Sequence, residues 1–163
     1  ASDLFRVLTD GERAALVDSL AACPYAGDDI IFRKGDAADS LFILARGTVG
    51  VYDEDAATGV RVKLAELHAP AYFGEMGLLL GAPRRATLVA AGDVLCYRLD
   101  QHGFDAVLSA RPELVEALSR VLAARQAQND ATLQALGDEA RSQHAQTRAA
   151  EFVRRIREFF KLR

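Results

Sequence analysis

Long apolar runs are missing from this chain. None approaches the roughly 18 residues that a bilayer crossing needs, although 50% of the residues are hydrophobic. No signal-peptide pattern is visible either. The 163 residues therefore read as a soluble module with enough apolar material for a real core. Cysteine is scarce: Cys23 and Cys96 are the only two, without metal-ligand spacing. Buried free thiols in a reducing compartment are expected, and no disulfide. His68, His102 and His144 lie in unlike segments, which gives no metal site. No Gly-x-Ser-x-Gly elbow or Cys/His pairing stands out, and Ser40 and Ser109 have no evident base. No catalytic constellation, and no enzyme, is expected. Excess positive charge is absent too. A net charge of −3 and a pI near 5.6 argue against general nucleic-acid binding. An initial Met is also lacking, since the chain opens Ala-Ser-Asp; an excised piece of something longer is the expectation.

What is present is concentrated in residues 73–87, Phe-Gly-Glu-Met-Gly-Leu-Leu-Leu-Gly-Ala-Pro-Arg-Arg-Ala-Thr. Gly74 and Gly77 let the backbone approach a ligand closely. Glu75–Leu80 can form a helical turn whose first N–H groups point at an anion. Arg84 offers a planar fork of donors that matches two phosphate oxygens. Glu75 does not favour a phosphate, so its partner is a hydroxyl. An anion and a hydroxyl at fixed separation describe a sugar phosphate.

This run resembles the phosphate-binding cassette of cyclic-nucleotide-binding domains: Phe-Gly-Glu, a short apolar helix, then Pro-Arg-x-Ala-Thr/Ser. Phe73, Gly74, Glu75, Leu78, Pro83, Arg84, Ala86 and Thr87 all fall in place. Upstream, Gly35-Asp36, Leu41-Phe42-Ile43-Leu44 and Gly47-Thr48-Val49 resemble the family's turn–strand–turn. The likeness covers about residues 4–125. It implies that Glu75 holds the ribose 2′-hydroxyl, that Arg84 holds the cyclic phosphate, and that Phe73, Gly74, Met76, Gly77, Arg85, Ala86 and Thr87 complete the nucleotide site. A Thr after the phosphate arginine tends to favour cGMP in the family. Arg85 stands there instead, so cAMP is the default ligand, with cGMP or a cyclic dinucleotide kept open. No other cofactor is implied.

Along the chain, Leu4–Ala22 reads as helical from Leu4, Phe5, Leu8, Leu16, Val17 and Leu20. Thr9 with Glu12 makes a capping box, so a helix should start there, and Pro24 should stop it. From Tyr25 to about Asp100 the pattern is strand-like, with runs at Ile30–Phe32, Leu41–Leu44, Val49–Tyr52, Val60–Leu64, Thr87–Ala90 and Val94–Leu99. Asp53–Gly59 reads as a polar hairpin tip without a ligand role. Phe104, Val107 and Leu108 mark a short helix that ends near Arg111-Pro112. Leu114, Val115, Leu118, Val121 and Leu122 then form one stripe. The fold class expected is α+β: an antiparallel, jelly-roll-like β-roll with an N-terminal helix, flanking and lid helices, and a helical tail. Residues 1–125 form the nucleotide-binding domain (roll about 25–100, lid helix about 112–125), and 126–163 the tail. The resemblance makes the second helix a lid over the purine, with Leu118, Val121, Leu122 and Arg125 as base contacts; plain packing explains the stripe equally well.

Gln126–Thr147 suits a long solvated helix, or a helical pair that turns at Gly137. Residues 148–163 hold six basic residues against two acidic ones, a net +4, so the rest of the chain carries −7. Phe152, Val153, Ile156, Phe159 and Phe160 give this basic helix an apolar face for an anionic membrane, a partner subunit or its own domain. Three functions follow: the sensor of a membrane channel, a transcription regulator of the catabolite-activator type, or a regulatory domain of an attached enzyme. A regulator needs a helix-turn-helix after the lid. Leu136-Gly137 imitates the turn, but Asp138-Glu139 would open the recognition helix with two acids facing phosphates. The Arg-Arg-Ile-Arg-Glu-Phe-Phe ending resembles bacterial channels that carry a small-conductance mechanosensitive-type pore before a C-terminal cyclic-nucleotide domain. It implies an upstream channel region as partner, homo-oligomers through that region, and a place on the cytoplasmic side of the inner membrane.

Overall fold

The structure, a computed structural model, describes residues 3–131 and 152–161. Its contacts separate two compact units, residues 16–104 and residues 1–15 with 105–163.

Residues 16–104 hold eight strands: β1 Ala21–Tyr25, β2 Ile30–Phe32, β3 Ser40–Arg46, β4 Thr48–Glu54, β5 Arg61–His68, β6 Ala71–Phe73, β7 Thr87–Ala90 and β8 Val94–Asp100. They form two four-stranded sheets, ordered β1-β8-β3-β6 and β2-β7-β4-β5, and each pairing is antiparallel. Alternate residues of a strand face opposite sides, so each sheet can turn one apolar face inward. Phe42, Leu44, Phe73, Val94 and Cys96 of the first sheet share one core with Val49, Leu88 and Ala90 of the second. This is the expected antiparallel roll, and with the helices the chain is α+β. Gly47 links β3 to β4 at φ +92°, and a Cβ there would lie 3.1 Å from Val94 Cα and closer still to the Asp93 carbonyl oxygen. Only glycine suits that turn.

The first elements differ from the sequence reading. In place of one helix over Leu4–Ala22 there are α1 Asp3–Arg6 and α2 Asp10–Asp18, followed by β1. The capping box explains the break. Thr9 N–H donates to Glu12 Oε2 at 2.7 Å and Glu12 N–H to Thr9 Oγ1 at 3.2 Å, which starts a new helix at Asp10. Pro24 does not stop a helix but sits within β1, at the edge of its sheet, where a missing N–H costs no ladder bond. β6 also escaped the strand pattern: unlike Ile30–Phe32 it has no β-branched residue, opens on Ala71, which has little strand preference, and runs straight into the Gly74 motif. Cys96 is a buried free thiol as expected, whereas Cys23 is only half-buried.

In the other unit, α1 packs on α5 Leu114–Ala131. Arg111, at the bend after α4 Gln101–Ala110, reaches Glu12 with Nη2 at 2.9 Å and the Val7 carbonyl at 2.8 Å. Leu114, Val115, Leu118 and Leu122 are buried as the stripe predicted, and Val121 and Arg125 are half-buried. Residues 152–159 are helical. Phe152, Ile156 and Phe160 on its apolar face are buried, and Arg157 lies 3.8 Å from Glu116 of α5. Val153 and Phe159 of the same face are half-buried. The expected helix or helical pair beyond Ala131, with its turn at Gly137, lies outside the described residues, as do Asp138 and Glu139. Among the described residues no helix is long and apolar enough to cross a membrane.

Candidate functional site

Six residues, Glu75–Leu80, form helix α3, with the bounds read from the sequence. Gly74 precedes it at φ +80°, a left-handed conformation that costs a residue with a Cβ roughly 1–2 kcal/mol. A Cβ on Gly74 would also come within 2.5 Å of Arg84 Nη1, and one on Gly77 would collide with the Ala38 side chain and sit 3.1 Å from the same nitrogen. Both glycines are therefore required by Arg84 and by the 35–40 segment, which the sequence pattern did not reveal.

Two backbone hydrogen bonds fix Arg84 against the Gly35-Asp36 turn: Gly35 N–H donates to the Arg84 carbonyl at 2.8 Å, and Arg84 N–H to the Asp36 carbonyl at 2.9 Å. The side chain is 7% exposed. Its Nη1 donates to the Ser40 carbonyl at 2.7 Å and the Gly74 carbonyl at 3.1 Å, and Nη2 donates to Ser40 Oγ at 3.1 Å. The guanidinium carbon lies 4.2 Å from the centre of the Phe32 ring and 5.7 Å from that of Phe42. Phe32, Phe42 and Phe73 pack together with centroids 5.5–5.8 Å apart, so the cation rests on an aromatic shelf.

All three of these bonds end on neutral oxygens, and Nε is buried without a partner. Burial pulls the Arg84 pKa below its ordinary value, with Arg98 acting in the same direction, while the charges of Asp39, Asp36 and Glu75 oppose the shift. A guanidinium stays charged in proteins. Arg84 is thus a buried cation whose charge is incompletely met at short range, and an anion brought to it would relieve that deficit. Glu75, in the first turn of α3, is 7% exposed. The site holds one buried cation and one buried carboxylate on adjoining pieces of backbone.

The other predicted residues divide. Phe73 belongs to the shelf and to the core, and Ala86 packs against that core. Met76 is half-buried and Arg85 exposed. Thr87 is fully buried. Its hydroxyl accepts from Lys34 N–H at 2.9 Å and bonds the Glu54 carboxylate. Sequence reasoning missed Phe32 and Ser40 as the groups that hold Arg84. Ser40 sits just before the Leu41–Leu44 run, and nothing in its spacing pointed to an arginine 44 residues away.

Comparisons with known proteins bear on the family and the fold. The family model described as "Cyclic nucleotide-binding domain" matches residues 23–111, more than half of the chain. The chain belongs to the cyclic nucleotide-binding domain family. Over 105 residues it is 34% identical to a cAMP-dependent protein kinase regulatory subunit of Candida albicans, covering 64% of this chain and 22% of that one. The chain thus spans about a fifth of that relative's length. Among solved structures, the catabolite activator protein of Thermus thermophilus aligns with a TM-score of 0.68 at 29% identity, over 81% of this chain and 62% of that one. The N-terminal domain of a transcriptional regulator from Streptomyces coelicolor A3(2) aligns with a TM-score of 0.66 at 28% identity, over 84% and 95%. Domains of this family are regulatory and not themselves catalytic. Among the described residues no group of side chains could hold a metal.

Proposed function

We propose that this chain binds a cyclic nucleotide, cAMP first of all, and passes its presence to an attached effector. The single observation that carries the reading is Arg84, a buried cation bonded to neutral oxygens, in a site whose carboxylate, Glu75, is buried too. In this reading the guanidinium and the first N–H groups of α3 take the cyclic phosphate, and Glu75 accepts from the ribose 2′-hydroxyl. Phe32 and the Ser40 oxygens hold Arg84 at the depth where a phosphate meets it. Leu118, Val121, Leu122 and Arg125 are proposed for the base. Arg85 is proposed as a surface residue that leaves cAMP preferred over cGMP. Titration calorimetry with cAMP and cGMP tests the reading: saturable one-to-one binding of cAMP, weakened at least about tenfold in Arg84→Ala, is expected. Equal heats for the two proteins would overturn it.

For the effector we propose an ion channel in a longer chain, supported by the likeness of the Arg-Arg-Ile-Arg-Glu-Phe-Phe segment to the ends of bacterial channel chains. In liposomes, the complete protein should then show ion flux that responds to cAMP. The alternative of a catabolite-activator-type regulator draws support from the likeness to the Thermus thermophilus protein. It predicts cAMP-dependent retention on duplex DNA and no flux.

A further inference from the structure

Cys23 of β1 and Cys96 of β8 stand directly opposite each other across an antiparallel strand pair. Opposed residues in such a pair have Cα atoms about 4.5 or 5.5 Å apart, depending on the hydrogen-bonding pattern, and both values lie within the roughly 4.4–6.8 Å that a disulfide spans. Their Cβ atoms start about 4.5–5.5 Å apart, so closure to a disulfide's mean of about 3.8 Å needs about 1 Å of approach. β1 is the strand free to supply it, because it lies at the edge of its sheet and pairs only with β8. The two thiols also differ in access: Cys23 is half-buried and Cys96 buried.

We propose that Cys23 and Cys96 are a cross-strand dithiol that closes to an intramolecular disulfide when the protein meets a low-molecular-weight disulfide such as oxidised glutathione. The Cys23 thiolate attacks one sulfur of the oxidant, forming a mixed disulfide and releasing one glutathione thiolate. Cys96, once deprotonated, attacks Cys23 Sγ, forms the S–S bond and releases the second glutathione. The protein loses two hydrogens, and the oxidant is reduced to two thiols. The order follows from exposure, since only Cys23 is reachable from solvent. Burial, and then Cys23, push the Cys96 thiol up to about 11, so the second step is slow at neutral pH and accelerates as pH rises. Tyr25 lies beside both thiols, its hydroxyl pushed up to about 12 by burial first and by Cys23 and Cys96 next, and so offers no competing base near pH 7. The closed form staples the edge strand to its neighbour, and a reducing pool reopens it.

The test is incubation of the complete chain with oxidised glutathione, followed by acid quench and non-reducing peptide mass spectrometry. A Cys23–Cys96 cross-linked peptide in monomeric protein is expected, with a thermal midpoint raised by about 10 °C and restored by dithiothreitol. Cys96→Ala should instead keep one glutathione on Cys23, without the rise. Wild-type protein that carries two glutathiones, cross-links between chains, or stays unmodified would overturn the proposal, and none of these readouts depends on nucleotide binding or on a variant's stability.

Discussion

Arg84 is held by interactions that differ in kind, and substitutions separate them. A guanidinium can stack on Phe32 and donate to Ser40 and Gly74 from one plane, whereas a lysine ammonium keeps the charge but loses the fork. Hydrogen bonds to charged groups contribute about 1.5–3 kcal/mol each. Arg84→Ala should therefore weaken cAMP binding by at least about tenfold, and Arg84→Lys should fall between alanine and wild type by calorimetry. Glu75 should act on a different atom of the ligand. 2′-Deoxy-cAMP should bind wild type less tightly than cAMP does, and Glu75→Ala should abolish that preference, because both changes remove the same contact. Additive losses would mean that Glu75 serves the fold.

At the scale of elements, the site depends on close approach between α3, the turn at Gly35-Asp36 and the start of β3. Gly74→Ala forces a Cβ into a φ of +80° and to within 2.5 Å of Arg84 Nη1. It should lower stability by roughly 1–2 kcal/mol in denaturant unfolding and weaken nucleotide binding as well. A second element-scale effect is electrostatic. Glu54 of β4 is hydrogen-bonded by Thr87, then flanked by Arg33 and Arg61, and these hold its carboxyl below its ordinary value of 4.5. A carboxyl with a depressed folded-state pKa adds stability above its unfolded value that is lost as pH falls through the folded one. Unfolding midpoints should therefore drop on acidification below about pH 4.5 in wild type, and the Glu54→Gln variant should show a shallower drop.

For the whole molecule, the question is which parts respond to the ligand. A ligand shifts a conformational equilibrium only through unequal affinity for its states. Cyclic nucleotide should slow amide hydrogen exchange in 74–87, and also in 112–125 if the second helix takes the base. Protection confined to 74–87 would remove Leu118, Val121, Leu122 and Arg125 from the site. Deleting residues 148–163 should leave nucleotide affinity nearly unchanged, although Phe152, Ile156 and Phe160 are buried and their loss should lower the thermal midpoint. A large loss of affinity on that deletion would assign the tail to the nucleotide site.

Much of this protein is local chemistry, and the sequence by itself determined that part. α3 runs over Glu75–Leu80 because left-handed glycines bracket one apolar turn. β2 and β7 fall where β-branched and aromatic residues meet turn signals, and Thr9 with Glu12 starts α2 through bonds only three residues long. Glu75 and Arg84 were legible because their spacing lies within a single short motif. Tertiary structure decided whatever depends on partners far along the chain. Ala21 and Ala22 have little strand preference and become strand through pairing with β8, with Pro24 tolerated because that strand is an edge. Thr87, which the motif alone assigns to the nucleotide site, also meets Lys34 and Glu54 through its hydroxyl. Phe32 and Ser40 come to Arg84 from 52 and 44 positions away, and Cys23 meets Cys96 only through strand register. Spacing along a chain reports local periodicity and motif chemistry; which distant side chains share a site is set when the two sheets close on one core.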